Sequence, residues 1–125
     1  MDVRFTEREL DLMSVLWDMG SATVAEVQER LTDDLAYTTV LTMLRTLEMK
    51  GHIAHREEGR AFRYYPLVDR EVAGASALRR IMRKIFGGSP EMLLTQLVAD
   101  NDLSDEELQR MRQLLDEKLG DGARS

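Results

Sequence analysis

The stretch "HIAHREEGRAFRYYP", residues 52–66, constrains everything before it. Two runs rich in Ile, Phe and Tyr flank Glu58 and Gly59, the pattern of a β-hairpin that turns at its glycine. Pro66 closes the second run because it cannot donate to a strand ladder. A lone hairpin is at best marginally stable in water, so its packing partners must come from the preceding residues. Those residues carry three short helical patterns. Thr6 with Glu9 is a capping box that opens a helix from about Glu7 to Met19, ended by Gly20, with Leu10, Met13, Leu16 and Trp17 predicted to face inward. Thr23 with Glu26 repeats the device for a shorter helix carrying Val24, Val27 and Leu31. A third helix is predicted from about Thr38 to Lys50, closed by Gly51. Three short helices followed by a hairpin make a winged helix-turn-helix, with the third helix in the recognition position.

Beyond Pro66 the pattern changes to longer helices. Leu78, Ile81, Met82 and Ile85 stand at i, i+3, i+4 and i+7, which predicts an amphipathic helix over residues 71–86 whose other face carries Arg79, Arg80, Arg83 and Lys84. That basic face reads as solvated. "FGGSPE" stops the helix and starts another, with Ser89 as N-cap, Pro90 in the first turn and Leu93, Leu94, Leu97 and Val98 along it. Ser104 with Glu107 opens a last helix to about Leu119, with Leu108, Met111, Leu114 and Leu115 on one side and Gly120 as its stop. These helices follow a complete small domain and have little core left to cover. A second copy of the chain is the simplest partner, giving a seam built from Leu78, Ile81, Met82, Ile85, Leu93, Leu97, Leu108, Met111 and Leu115. The expected architecture is therefore mainly α with a small β-hairpin wing: a winged helix-turn-helix DNA-binding domain over residues 1–68 and a helical dimerisation domain over residues 69–125.

A net charge of −6 argues on its face against nucleic acid, but the charge is polarised along the chain. Between Tyr37 and Pro66 five basic residues face three acidic ones; between Glu91 and Asp121 nine acidic residues face three basic ones. Cysteine is absent, which removes disulfides, thiolate metal sites and cysteine nucleophiles together. His52 and His55 fall on opposite faces of a strand, so no metal site and no cofactor is expected. The N-terminus lacks the basic start and apolar run of a secretory signal, and no stretch approaches a membrane span, so a cytoplasmic protein without membrane insertion is expected. No G-x-S-x-G, phosphate loop or H-E-x-x-H occurs. An enzyme is not expected.

The candidate functional residues lie on the third helix. At about 100° per residue, Val40, Met43, Leu44 and Leu47 define its inner face; Thr38, Thr42, Arg45 and Met49 fall opposite, flanked by Thr39 and Thr46. Threonine is a mediocre helix former, so four on one exposed surface call for a reason. A short hydroxyl can donate, accept, and set its methyl against thymine, while the arginine fork fits guanine O6 and N7. The alternative is local: Thr38 and Thr39 cap the helix, and Thr42 and Thr46 bond back to carbonyls. On the wing, Arg60 and Arg63, ahead of Arg56, are candidate phosphate contacts; their alternative is a charged edge that resists aggregation. A winged helix serving as a protein-interaction module, or as a ligand-sensing dimer, fits the same pattern.

The ordered set "FTERELDLMSVLW", "TVAEV", "YTTVLTMLRTLEMKGHI", "GRAFRYYP", "FGGSP" and "LSDEELQRMRQLL" resembles the penicillinase-repressor (BlaI/MecI) family of bacterial transcriptional regulators over nearly the whole chain. The resemblance implies a homodimeric repressor that binds a palindromic operator in double-stranded DNA and blocks transcription of resistance or stress-response genes. It places Thr38, Thr39, Thr42, Arg45 and Thr46 on the recognition helix and Arg60 and Arg63 on the wing. It also implies a regulatory protease as partner, since the best-known members are cleaved in the tail. The corresponding neighbourhood here, "LTQLVADND", contains no Asn-Phe pair.

Overall fold

The computed structural model describes residues 3–99 and 102–124. The Thr6 hydroxyl accepts the Glu9 N–H at 3.1 Å while the Glu9 carboxylate accepts the Thr6 N–H at 2.8 Å, and helix α1, Glu7–Met19, starts there. Thr23 and Glu26 close the same box for α2, Val24–Arg30, and Ser104 and Glu107 for α6, Asp105–Arg124. The other helices are α3, Tyr37–Met49, α4, Arg70–Lys84, and α5, Pro90–Ala99. At the head of α5 the Ser89 hydroxyl accepts the Met92 N–H at 3.2 Å. No described helix is long and apolar enough to cross a membrane.

Helix α3 ends in a geometry that launches the wing. The His52 N–H reaches back to the Leu47 carbonyl at 3.1 Å and the Gly51 N–H to that of Glu48 at 3.0 Å, with Gly51 at φ +83°. This paired closure needs a left-handed residue, which glycine supplies without a Cβ penalty. The chain then runs into β2, Ile53–Glu58, turns through Gly59 at φ +62° and Arg60, and returns as β3, Ala61–Pro66. Arg56 stands opposite Arg63 and His55 opposite Tyr64, while Pro66 occupies the terminal position opposite Ile53. A two-residue strand β1, Ala22–Thr23, pairs with the other edge of β3, so the antiparallel sheet has the order β1-β3-β2. Two residues display no alternation, which is why β1 has no signature in the sequence.

The core is one cluster of side chains from α1, α2, α3 and the sheet. Leu12, Met13 and Leu16 of α1, Val27 of α2, Val40, Leu44 and Leu47 of α3, and Ile53 and Tyr64 of the sheet are essentially inaccessible. The fold is a winged helix followed by a helical tail. Two expectations need correction. Leu10 is 40% exposed, because the inward row of α1 is Glu9, Leu12, Met13 and Leu16, while Trp17 is half-buried and packs against the core as expected. Glu9 takes the place an apolar residue would mark, so a reading of hydrophobic spacing alone lands one residue out of phase. Helix α6 passes through Gly120 to Arg124, since that glycine does not adopt the positive φ of a helix stop.

Cα packing divides the chain into Met1–Arg79 and Arg80–Ser125. The first unit includes the first turns of α4, where Ala73 and Ser76 are buried. In the second unit no residue whose burial is described is buried, and Ile85, Leu97, Leu114, Leu115 and Leu119 are between 47% and 73% exposed. Of the "LTQLVADND" neighbourhood, Asp100 and Asn101 lie outside the described residues.

Burial of Glu9 is sustained by a division of labour. One carboxylate oxygen caps α1, and the other accepts from the Lys50 ammonium at 2.8 Å, tying the start of α1 to the end of α3. Desolvation acts to raise the Glu9 pKa, but the hydrogen bonds and charge of Lys50, with those of Thr6, together hold it below the ordinary glutamate value. A folded-state value below the unfolded one gives stability that is present at neutral pH and lost as pH falls through the folded value. Lys50→Met is therefore expected to lower the urea midpoint at about pH 7, with the gap to the natural chain closing towards about pH 3. A gap independent of pH would show that the pair does not stabilise through the Glu9 charge.

Candidate nucleic-acid interface

With Val40, Leu44 and Leu47 turned into the core, α3 presents Thr38, Thr39, Thr42, Arg45, Thr46 and Met49 to solvent. The threonines divide by chemistry. Thr42 donates its hydroxyl proton to the Thr38 carbonyl at 2.9 Å and Thr46 donates to the Thr42 carbonyl at 3.0 Å. Their protons are committed within the helix, so what they offer outward is an acceptor oxygen and a methyl. Thr38 and Thr39 do not cap: the N-cap is Ala36, which has no capping side chain. Neither makes a side-chain hydrogen bond among the described residues, and both keep a free donor. The first-turn amides of α3 are thus left without the side-chain acceptor that α1, α2 and α6 each possess. Exposed amides at a helix start favour an anion such as a phosphate.

Among the described residues Arg45 makes no hydrogen bond or ion pair, and the same holds for Arg60 at the wing turn. The other basic residues of this surface are engaged. Arg56 lies 5.9 Å from the centroid of the Tyr65 ring. Arg63 binds Glu58 at 2.8 Å and Glu26 at 3.0 Å, and its side chain is only 20% exposed. The hydrogen bond to Glu58 is the main cause that raises the Arg63 pKa, while the Thr23 backbone N–H, followed by Arg63, holds Glu26 low. Since Glu26 also closes the cap of α2, Arg63 joins the root of the wing to the start of that helix.

A second tie joins the wing to α3. The Glu48 carboxylate lies 2.6 Å from His55 Nδ1, and the imidazole stacks on Phe62 at 4.4 Å between centroids. Glu48 is the one acidic residue on α3, and this bond ties up the group least suited to a helix that would face phosphates. His52 is engaged elsewhere, its ring 4.7 Å from that of Phe5. No cluster able to hold a metal ion occurs among the described residues. Tyr37, half-exposed in the first turn of α3, joins the surface although sequence reasoning passed over it. Its place one residue before the threonines was the available signal.

Comparison with known proteins gives the family and the fold. The family model described as "Penicillinase repressor" matches residues 5–117. The chain is 28% identical over 116 residues to the penicillinase repressor of Bacillus licheniformis, covering 91% of each. It is 40% identical over 76 residues to the transcriptional regulator BlaI of Mycobacterium tuberculosis, covering 57% of this chain and 55% of that protein. A solution structure of Bacillus licheniformis BlaI, in its monomeric form with the blaP half-operator, superposes with a TM-score of 0.50 at 34% identity over 58% of this chain and 90% of that one.

The different states of the two wing arginines separate their expected effects. Arg63→Ala should lower the thermal midpoint, because it releases both Glu26 and Glu58, whereas Arg60→Ala should leave it unchanged. Equal midpoints for the two variants would show that the Arg63 network does not anchor the wing.

Proposed function

The chain belongs to the penicillinase repressor family, and from that premise we propose that this DNA-binding transcriptional repressor acts as a homodimer on a palindromic operator. Each winged helix reads one half-site through α3, and the helical tails hold two copies at the spacing of the half-sites. The observation that carries the reading is an exposed α3 face with an unpaired Arg45 among threonine methyls and hydroxyls, beside a first turn whose amides are uncapped. Arg45 and the methyls of Thr42 and Thr46 supply base contacts. Thr38, Thr39 and Arg60 supply phosphate contacts, and Arg63 contributes by holding the wing in place.

The tail supports the dimer by what it lacks. A unit in which no residue of described burial is buried, and in which seven large apolar side chains are about half exposed or more, cannot offset its own ordering entropy, and a second copy covers that surface. The seam comprises Leu78, Ile81, Met82, Ile85, Leu93, Leu97, Leu108, Met111 and Leu115. The excess of acidic residues lies in the same region of the sequence, outside the winged helix, so binding depends on salt through the local basic surface despite the net charge of −6. The setting is the cytoplasm, the regulated genes belong to resistance or stress responses, and a protease acting on the tail would relieve repression.

Selection of bound sequences from a pool of random duplexes by the full-length chain should recover an inverted repeat. Absence of any retarded complex at micromolar protein and low salt would leave the protein-interaction reading in its place. Against the selected dyad, Arg45→Ala should cost about 1–3 kcal/mol and relax preference at one position in each half-site. Uniform weakening on every sequence would make Arg45 a phosphate clamp instead. Sedimentation of the full chain should give a dimer, and a monomer at tens of micromolar would remove the role given to the tail.

A further inference from the structure

Helix α4 is fastened to the winged helix at its first turns by an arrangement that the reading above does not use. Ser76 is 2% exposed and Val3 3%. The Ser76 hydroxyl accepts the Val3 N–H at 3.1 Å and donates to the Val3 carbonyl at 3.1 Å, across 73 residues of sequence. One side chain thereby serves both polar groups of a buried backbone residue. An apolar contact alone would be met by alanine, as it is at buried Ala73 one turn earlier. Such a contact is non-directional and lets a helix slide or roll, whereas two hydrogen bonds to one peptide segment fix both.

Further ties converge on the same turns. Arg70 binds Asp18 of α1 at 2.6 Å and places its guanidinium 5.6 Å from the Trp17 ring centroid. The Trp17 indole N–H donates to the Val68 carbonyl at 2.8 Å. The segment that carries Val3 is itself held, since Phe5 packs edge-on against both Trp17 and His52. The attachments at Arg70 and Ser76 lie about 9 Å apart along the helix axis, enough to set its direction as well as its position.

We infer that Ser76 is a positioning residue for half-site spacing: with the segment of residues 3–5 it fixes the direction in which α4 leaves the DNA-binding unit. The inference rests on the dimeric reading of the preceding subsection. Helix α4 continues about 12 Å beyond Ser76 to Lys84, so a tilt of about 10° at the anchor moves its end by about 2 Å. Two copies double that to about 4 Å, comparable with the rise of about 3.4 Å for one base pair. An anchor loosened by this amount therefore blurs the choice between neighbouring spacings, and leaves each half-site contact as it was.

The test uses the full chain and the dyad recovered by selection, with its half-sites at the selected spacing and one or two base pairs closer or further apart, alongside a duplex holding a single half-site. Ser76→Ala should bind the single half-site within about twofold of the natural chain, while its preference for the selected spacing falls by about tenfold. Val3→Pro, which deletes the N–H but keeps the carbonyl, should shift in the same sense. Undiminished spacing preference in Ser76→Ala overturns the inference, as does a parallel loss on single and paired sites with a lowered thermal midpoint, which marks a purely structural role. If the natural chain itself shows no preference among spacings, the dimeric reading fails first and the inference with it.

Discussion

The row Val40, Leu44 and Leu47, fully buried against α1, α2 and the sheet, is the contact on which the rest of the DNA-binding unit depends. It fixes the rotation of α3 about its own axis. Because the helical period puts residues 38, 42, 45 and 49 on the opposite side, burying one row obliges the other to face out. The cost of losing any of the three would fall on orientation as much as on stability, since a core this small has no second layer to hold α3 in register.

Around that row Glu9, Glu26, Glu48 and Glu58 are occupied by nearby cations or donors, while exposed Glu57 of the wing has no such partner among the described residues. Glu9 meets Lys50, Glu48 meets His55, and Glu26 and Glu58 share Arg63. Three of the pairs join α1 to α3, α3 to the wing, and the wing to α2, and the fourth, Glu58 with Arg63, joins the two strands of the wing. Partly exposed pairs of this kind contribute little stability one by one. Their collective effect is on the field, because Lys50 and Arg63 offset the charge of Glu9, Glu26 and Glu58, while Arg45 and Arg60 have no acidic partner among the described residues. A protein with a net charge of −6 thus carries a locally cationic face.

Much of this was legible in the sequence because it is written in local chemistry. The capping boxes at Thr6, Thr23 and Ser104, the glycine turns at 51 and 59, and the 3.6-residue period of α3 depend on residues within one or two turns of each other. What escaped reading depends on distant partners. The phase of α1 was hidden by Glu9, whose burial is sustained by Lys50, 41 residues away. The state of Arg63 depends on Glu26 from another element, and β1 exists only because β3 runs beside it. Gly120 misled for the opposite reason: glycine permits a helix to stop without compelling it. The four threonines show both cases at once, since the outward face was readable from spacing, but the donation of Thr42 and Thr46 into their own helix was one of two open alternatives.

The junction between Trp17, Val68 and Arg70 has a practical side. Trp17 is the only tryptophan in the chain, and its indole is hydrogen-bonded to Val68, two residues beyond the wing, and lies beneath the first side chain of α4. Indole emission responds to polarity, to hydrogen bonding and to a cation over the ring. The molecule therefore contains an intrinsic fluorophore at the joint between its winged helix and the first turn of α4, free of background from any other tryptophan. Strain passing through that joint can be followed in real time without attaching a dye.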